Sequence, residues 1–174
     1  MLTKAKIIVL AVLVIMAGFI AFYVMQERGR WNRIAEARIT MTYGILLIGI
    51  DDGPARNFTV DLGLAIADRL NMRSAFIASS PDWISAGFDN LEYDIFMPSM
   101  PVPAELRSVF AISRPYLENP FEPGLNAIVV QKENIRLANA INEALELLFA
   151  DGTMSRISMN TFGADFVTQA RQSW

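Results

Sequence analysis

From Ile7 to Met25 the chain carries no charged residue, with Lys4 and Lys6 before the run and Gln26-Glu27-Arg28-Gly29-Arg30 after it. About twenty apolar residues at about 1.5 Å rise span a hydrocarbon core of about 30 Å, which predicts one transmembrane helix. A cleaved signal peptide has a shorter apolar stretch ending in small residues, and Phe22-Tyr23-Val24-Met25 stands where those would be needed. The expected organisation is a retained anchor over 1–30, a neck over 31–38, a domain over 39–163 and a tail over 164–174. Arg28, Arg30 and Arg33 offset Lys4, Lys6 and the amino terminus, so charge alone leaves the orientation open.

Beyond the neck the pattern shortens. Ile45 to Ile50 is apolar and rich in isoleucine, and Asp51-Asp52-Gly53-Pro54 stops it, which predicts a buried strand. Val60, Leu64, Ala67 and Ile66, Leu70 keep helical spacing up to Asn71. Ser74 to Ala78 reads as a second strand and Trp83 to Phe88 as a short helix, opened by Ser80-Pro81 with Asp82 as N-cap. Tyr93 to Met97 reads as a third strand, ending in Pro98-Ser99-Met100-Pro101. The element positions of Trp83, Phe88 and Phe96 favour the core over the alternative, an aromatic ligand box.

A short helix over Pro103 to Ser108, an extended piece over Val109 to Ile112 and a proline-rich loop over Ser113 to Leu125 precede a strand at Asn126 to Val130. Leu137, Ile141, Leu145 and Leu148 then form one apolar stripe, with Asn139, Asn142, Glu143 and Glu146 outside it and Asp151-Gly152 as the stop. A last helix is predicted over Met154 to Thr161. Strands alternating with helices imply an α/β domain built on a mostly parallel sheet with right-handed crossovers. Ligands in that layout sit beyond the carboxyl ends of the strands, here Asp51 to Asn57 and Pro98 to Pro103.

Composition narrows the chemistry. The 174 residues leave room for one compact domain after the anchor, and the net charge of −3 comes with no basic stripe, so nucleic acid is not an expected partner. The chain has no cysteine and no histidine, which removes thiolate nucleophiles, disulfides, the commonest general base and the commonest transition-metal ligand. No catalytic residue, cofactor or metal site is predicted, and the chain does not read as an enzyme.

The candidate ligand-binding residues are Asp51, Asp52, Ser99 and Arg107. Asp51 and Asp52 close the first strand, where one carboxylate could accept a ligand ammonium; as a plain turn they would only cap the next helix. Ser99 offers a hydroxyl and backbone groups in a loop that its neighbouring prolines could equally set for structural reasons. Arg107 and Arg114 read as surface charges or as contacts for an anionic ligand or a partner. Asp61 is explained by its place near a helix start, where it favours the helix dipole.

Four segments resemble the periplasmic solute-binding proteins for polar amino acids, the two-lobed type II receptors of ABC transporters. Phe58-Thr59-Val60-Asp61-Leu62 resembles the family's Phe-Asp-Val-Asp-Leu helix start, and Tyr93-Asp94-Ile95 its Tyr-Asp-Val strand start. Glu105 to Ser113 resembles its Glu-Arg segment, and Ala150-Asp151-Gly152-Thr153-Met154-Ser155-Arg156-Ile157 its Ala-Asp-Gly-Thr-Tyr-x-Lys-Ile ending. The resemblance implies a single lobe of that fold, since about ninety residues of the family's second lobe would fall between Tyr116 and Asn126. It also implies a periplasmic domain on a single-pass inner-membrane anchor. Gly53 to Asn57 replaces the family's aromatic Tyr-Pro-Pro-Phe segment, and Leu106 stands where the family's arginine clamps a carboxylate. A one-residue step along a helix rotates about 100°, so Arg107 does not simply replace it.

These gaps suggest a membrane-anchored accessory subunit whose degenerate lobe docks on an integral-membrane or periplasmic protein. The alternative is a membrane-tethered binding protein for an amino acid or other small polar solute, serving transport or sensing.

Overall fold

The computed structural model describes residues 44–167 together with Met16 and Ala170. The predicted span at 7–25, the neck and the end of the tail lie, Met16 and Ala170 aside, outside the described residues. Among the described residues no helix is long and apolar enough to cross a membrane. The chain divides into two compact units, Met1–Arg38 and Ile39–Trp174, and the fold given below belongs to the second.

Its elements are β1 (Ile45–Ile50), α1 (Arg56–Arg69), β2 (Arg73–Ala78), a 3-10 turn (Pro81–Trp83), α2 (Ile84–Asp89), β3 (Ile95–Met97), α3 (Leu106–Val109), β4 (Phe110–Ile112), β5 (Leu117–Glu118), β6 (Leu125–Asn126), β7 (Val129–Gln131), α4 (Ile135–Ala150) and α5 (Thr153–Phe162). Five strands form one sheet in the order β2-β1-β3-β7-β4, and β5 and β6 form a separate hairpin. β1 pairs in parallel with β2 and β3, so that Ile50 stands opposite both Ala78 and Met97. β7 pairs antiparallel with β3 and with β4.

The sheet is therefore mixed: four strands keep the expected parallel direction, and β7 alone runs against them. The reason lies in the connection. β4 and β7 are joined through the β5–β6 hairpin with no crossover helix, and a chain returning without a crossover pairs antiparallel.

Alternation along β1 builds two cores. Leu46, Ile48 and Ile50 join Phe58, Leu62 and Ile66 of α1, Leu137, Ile141, Leu145 and Leu148 of α4, and Met154 of α5. The α4 stripe is the one its spacing predicts, and each such side chain contributes about 1.5–3 kcal/mol when fully buried. A second, largely aromatic cluster holds Ile84, Phe88, Tyr93, Phe96, Phe110 and Val129, with Leu47 and Leu106 packed against it. A Cβ on Gly49 would stand 2.7 Å from the Tyr93 ring and 2.9 Å from that of Phe96. Glycine thus lets two aromatic rings lie directly on the middle of β1.

Local signals mark several ends. Asn71, at φ +54°, follows α1, and Gly152, at φ +75°, separates α4 from α5. Asn134 caps α4, its side chain accepting from the Leu137 N–H at 3.4 Å. Asp82 does not cap α2: it lies inside the 3-10 turn, and the cap position belongs to Trp83. Phe88 and Phe96 are core residues, but Trp83 is 66% exposed. Ile84, Gly87 and Phe88 take the inward face of α2, and the preceding 3-10 turn, none of whose residues is buried, sets Trp83 off that stripe.

Candidate functional site

The register of β1 with β2 and β3 brings three strand ends to one level, and the loops leaving them carry Asp51, Ser79 to Trp83, and Pro98 to Met100. Asp51 is almost wholly buried, and its Oδ1 accepts a hydrogen bond from the Ser99 N–H at 2.8 Å. A buried carboxylate needs such a donor to offset its lost hydration. This bond ties the exit of β1 to the exit of β3, and it brings together two of the four predicted site residues.

Ser99 is completely buried. Its N–H serves Asp51 and its carbonyl accepts from Asn119 Nδ2 at 2.9 Å. Its Oγ has no hydrogen-bond partner among the described residues. The hydroxyl lies against Gly53, where a Cβ would come within 1.7 Å of it. Leaving a buried hydroxyl unsatisfied costs about 1–3 kcal/mol, so the group calls for a partner or a role.

Asp52 departs from Asp51. Its side chain is fully exposed, with Oδ1 3.6 Å from the Nε of Arg56. Neither aspartate caps α1, whose cap position is Ala55 with no side-chain hydrogen bond. The capping half of the turn-and-cap reading therefore fails, while the turn itself follows at Gly53 to Ala55. Arg107 lies exposed on α3, and among the described residues no hydrogen bond or ion pair joins it to Asp51, Asp52 or Ser99. Leu106 beside it packs into the aromatic cluster. Arg114 is committed elsewhere: its N–H donates to Asn142 Oδ1 at 2.8 Å and its Nη1 to Glu146 Oε2 at 3.2 Å.

The residue that sequence reasoning misplaced is Trp83, read as core and found exposed. Its indole stands exposed on the loop beyond β2, while the buried Tyr93 hydroxyl lies within 3.3 Å of the Trp83 carbonyl and 3.2 Å of the Ile84 carbonyl. Tyr93 fits because residue 87 is glycine, where a Cβ would meet the phenol oxygen at 2.2 Å. Burial raises the Tyr93 pKa above its usual 10.0, keeping the phenol a neutral donor. The signal was Ser79-Ser80-Pro81-Asp82, which places Trp83 in a strand-end loop rather than inside a helix. Among the described residues no group of three or more acidic, histidine or cysteine side chains is placed to hold a metal ion.

Known proteins place the fold in context. The arginine-bound form of domain 1 of TmArgBP, from T. maritima, is 28% identical and superposes with a TM-score of 0.55, covering 63% of this chain and 97% of that one. An ABC uptake transporter substrate-binding protein from Streptococcus pneumoniae, with bound histidine, shares the fold at 14% identity and a TM-score of 0.65, covering 74% and 97%. An ancestral cationic amino acid solute-binding protein gives 15% identity and a TM-score of 0.62, covering 73% and 99%. No curated protein shows significant sequence similarity to the chain. The family described as bacterial extracellular solute-binding proteins, family 3, matches residues 50–164; this chain belongs to it.

Proposed function

We propose that this chain is a membrane-tethered, periplasmic binding protein for an amino acid, a small polar solute, and that it captures its ligand with a single lobe. The observation that carries the reading is the arginine-bound domain 1 of TmArgBP, a domain this chain covers over 97% of its length. In that relative one domain is found with arginine, so the missing second lobe no longer argues for lost capture. Solute-binding proteins hold their ligands rather than convert them, which accords with a chain lacking cysteine and histidine.

The ligand edge has a consistent chemistry. Asp52 offers an exposed carboxylate to an ammonium or guanidinium group. Trp83 offers an indole face, the best aromatic partner for a cation. Asp51 and Ser99, bonded to each other, would supply a rigid part of this edge, and Arg107 is the candidate for the ligand carboxylate. This set favours a cationic amino acid. Residues 7–25 would hold the lobe at the outer face of the inner membrane, raising its effective concentration near membrane partners.

Thermal melting of the full chain in detergent across a library of amino acids tests the proposal. A ligand at one hundred times its Kd stabilises by about 2.7 kcal/mol, and arginine, lysine and histidine are expected to give the largest shifts. No shift with any amino acid at millimolar concentration contradicts it. A second reading, the accessory subunit, draws on one observation: Leu106, half-buried against the aromatic cluster, stands where the resemblance implies a clamping arginine. Purification from native membranes only as a free monomer would count against that reading.

A further inference from the structure

The β5–β6 hairpin occupies residues 117–126, the interval into which the family resemblance places the second lobe. Its polar side chains turn toward the ligand loop. Asn119 Oδ1 accepts from the N–H groups of Phe121 at 2.9 Å and Glu122 at 3.1 Å, closing the hairpin turn. Its Nδ2 donates to the Ser99 carbonyl and to Asn126 Oδ1, both at 2.9 Å. Asn126 Nδ2 donates to the Pro98 carbonyl at 3.1 Å, and the Tyr116 hydroxyl reaches the same oxygen at 3.4 Å. All three side chains are buried. Gly124, at φ +141°, lets the hairpin backbone approach Pro101, whose Cβ would lie 2.8 Å from a Cβ at position 124.

We infer that this hairpin presets the loop Pro98 to Pro101 for ligand, with Asn119 and Asn126 as positioning residues that do not themselves touch the ligand. The inference rests on the binding role proposed for that loop. The two carbonyls of Pro98 and Ser99 are held from the hairpin side and the Ser99 N–H from the β1 side, which leaves the Ser99 hydroxyl as the group without a fixed partner. Holding a loop in its bound shape beforehand removes the ordering cost that would otherwise oppose binding. A lobe that captures its ligand alone, as proposed above, needs that loop ordered in advance. Asparagine suits position 119 because the turn needs an acceptor while the loop needs a donor, and one carboxamide supplies both.

The test is amide hydrogen exchange on the full chain in detergent, read with and without arginine. Asn119→Asp keeps the turn acceptor and loses the donor; Tyr116→Phe removes one hydroxyl at constant shape and serves if the first variant does not fold. The expected result is faster exchange at the Ser99 amide, by about tenfold in Asn119→Asp and a few-fold in Tyr116→Phe, with amides of Leu137 to Leu148 unchanged. Phe121→Ala, at the exposed hairpin tip, is expected to leave Ser99 as it was. Arginine affinity should fall in step with the loss of protection in the loop. Unchanged Ser99 exchange in the folded variants overturns the inference, as does acceleration that α4 shares equally. If the unmodified chain binds no amino acid, the proposed function fails while the exchange result still decides the role of the hairpin.

Discussion

The two halves of the sheet divide the labour. On the β2-β1-β3 side three parallel strands end at one level and hand over to loops bearing Asp51, Trp83 and Ser99. On the β7-β4 side the strands run antiparallel, and Asn126, just before β7, points its amide at the Pro98 carbonyl. Parallel strands gather loops, and so chemistry, at one edge; the antiparallel return supplies groups that hold those loops in place. The comparison predicts that changes on the first side reach binding directly, whereas surface changes on the second reach only stability.

The sharpest way to break that division is Gly53→Ala. Its Cβ would overlap the Ser99 hydroxyl, forcing apart the two loops that Asp51 ties. Overpacking of this kind costs about 1–3 kcal/mol, and the arginine-induced thermal shift is expected to vanish while the circular dichroism of the fold remains. A variant that still binds normally would remove this edge from the ligand site.

Tyr93→Phe probes the same side more gently. It deletes the hydroxyl beneath the Trp83 and Ile84 carbonyls at a cost of about 1 kcal/mol. Because the indole then loses its backbone support, arginine affinity is expected to drop further than that of an equally destabilised α4 variant. Calorimetric titration of the two variants side by side reads the difference.

On the other side, Glu146→Gln separates the pair with Arg114, whose side chains are 58% and 45% exposed. Solvent screening limits the loss to about 0.2–1 kcal/mol, and binding should stay at the unmodified level. The smallest effect concerns Asp151, whose hydrogen bonds from Thr153, reinforced by Arg69, hold its carboxyl below the usual 3.8. With the folded value below the unfolded one, the stabilisation is present above about pH 3.8 and is lost as the pH falls through the folded value. Asp151→Asn should flatten the acid limb of a stability-against-pH curve; an unchanged limb would show that other carboxylates set it.

What the sequence made legible follows from how locally each feature is encoded. β1 ends where it was expected because Asp51-Asp52-Gly53-Pro54 cannot continue a buried strand. α4 follows its stripe because four leucines and isoleucines at helical spacing admit one buried face. The direction of β7 was not legible, since an apolar run such as Val129-Val130 reads the same in either orientation. The hairpin escaped because strands of two residues have no period to detect. Asp51 and Ser99 were legible as members of strand-end loops, but their mutual bond depends on register between strands distant in sequence. Asn119 looked like one more polar residue in a proline-rich loop, and only the folded chain shows both its amide atoms in use.

The central claim is that one lobe captures an amino acid at the carboxyl ends of β1, β2 and β3. The direct measurement is an arginine titration of the isotopically labelled full chain in detergent, followed by NMR at individual amides and at the Trp83 indole N–H. The account predicts saturable shifts at Asp52, Gly53, Ser99 and the Trp83 indole, with the amides of α4 unmoved. An absence of shifts up to millimolar arginine, or shifts confined to the β7-β4 side, would contradict it.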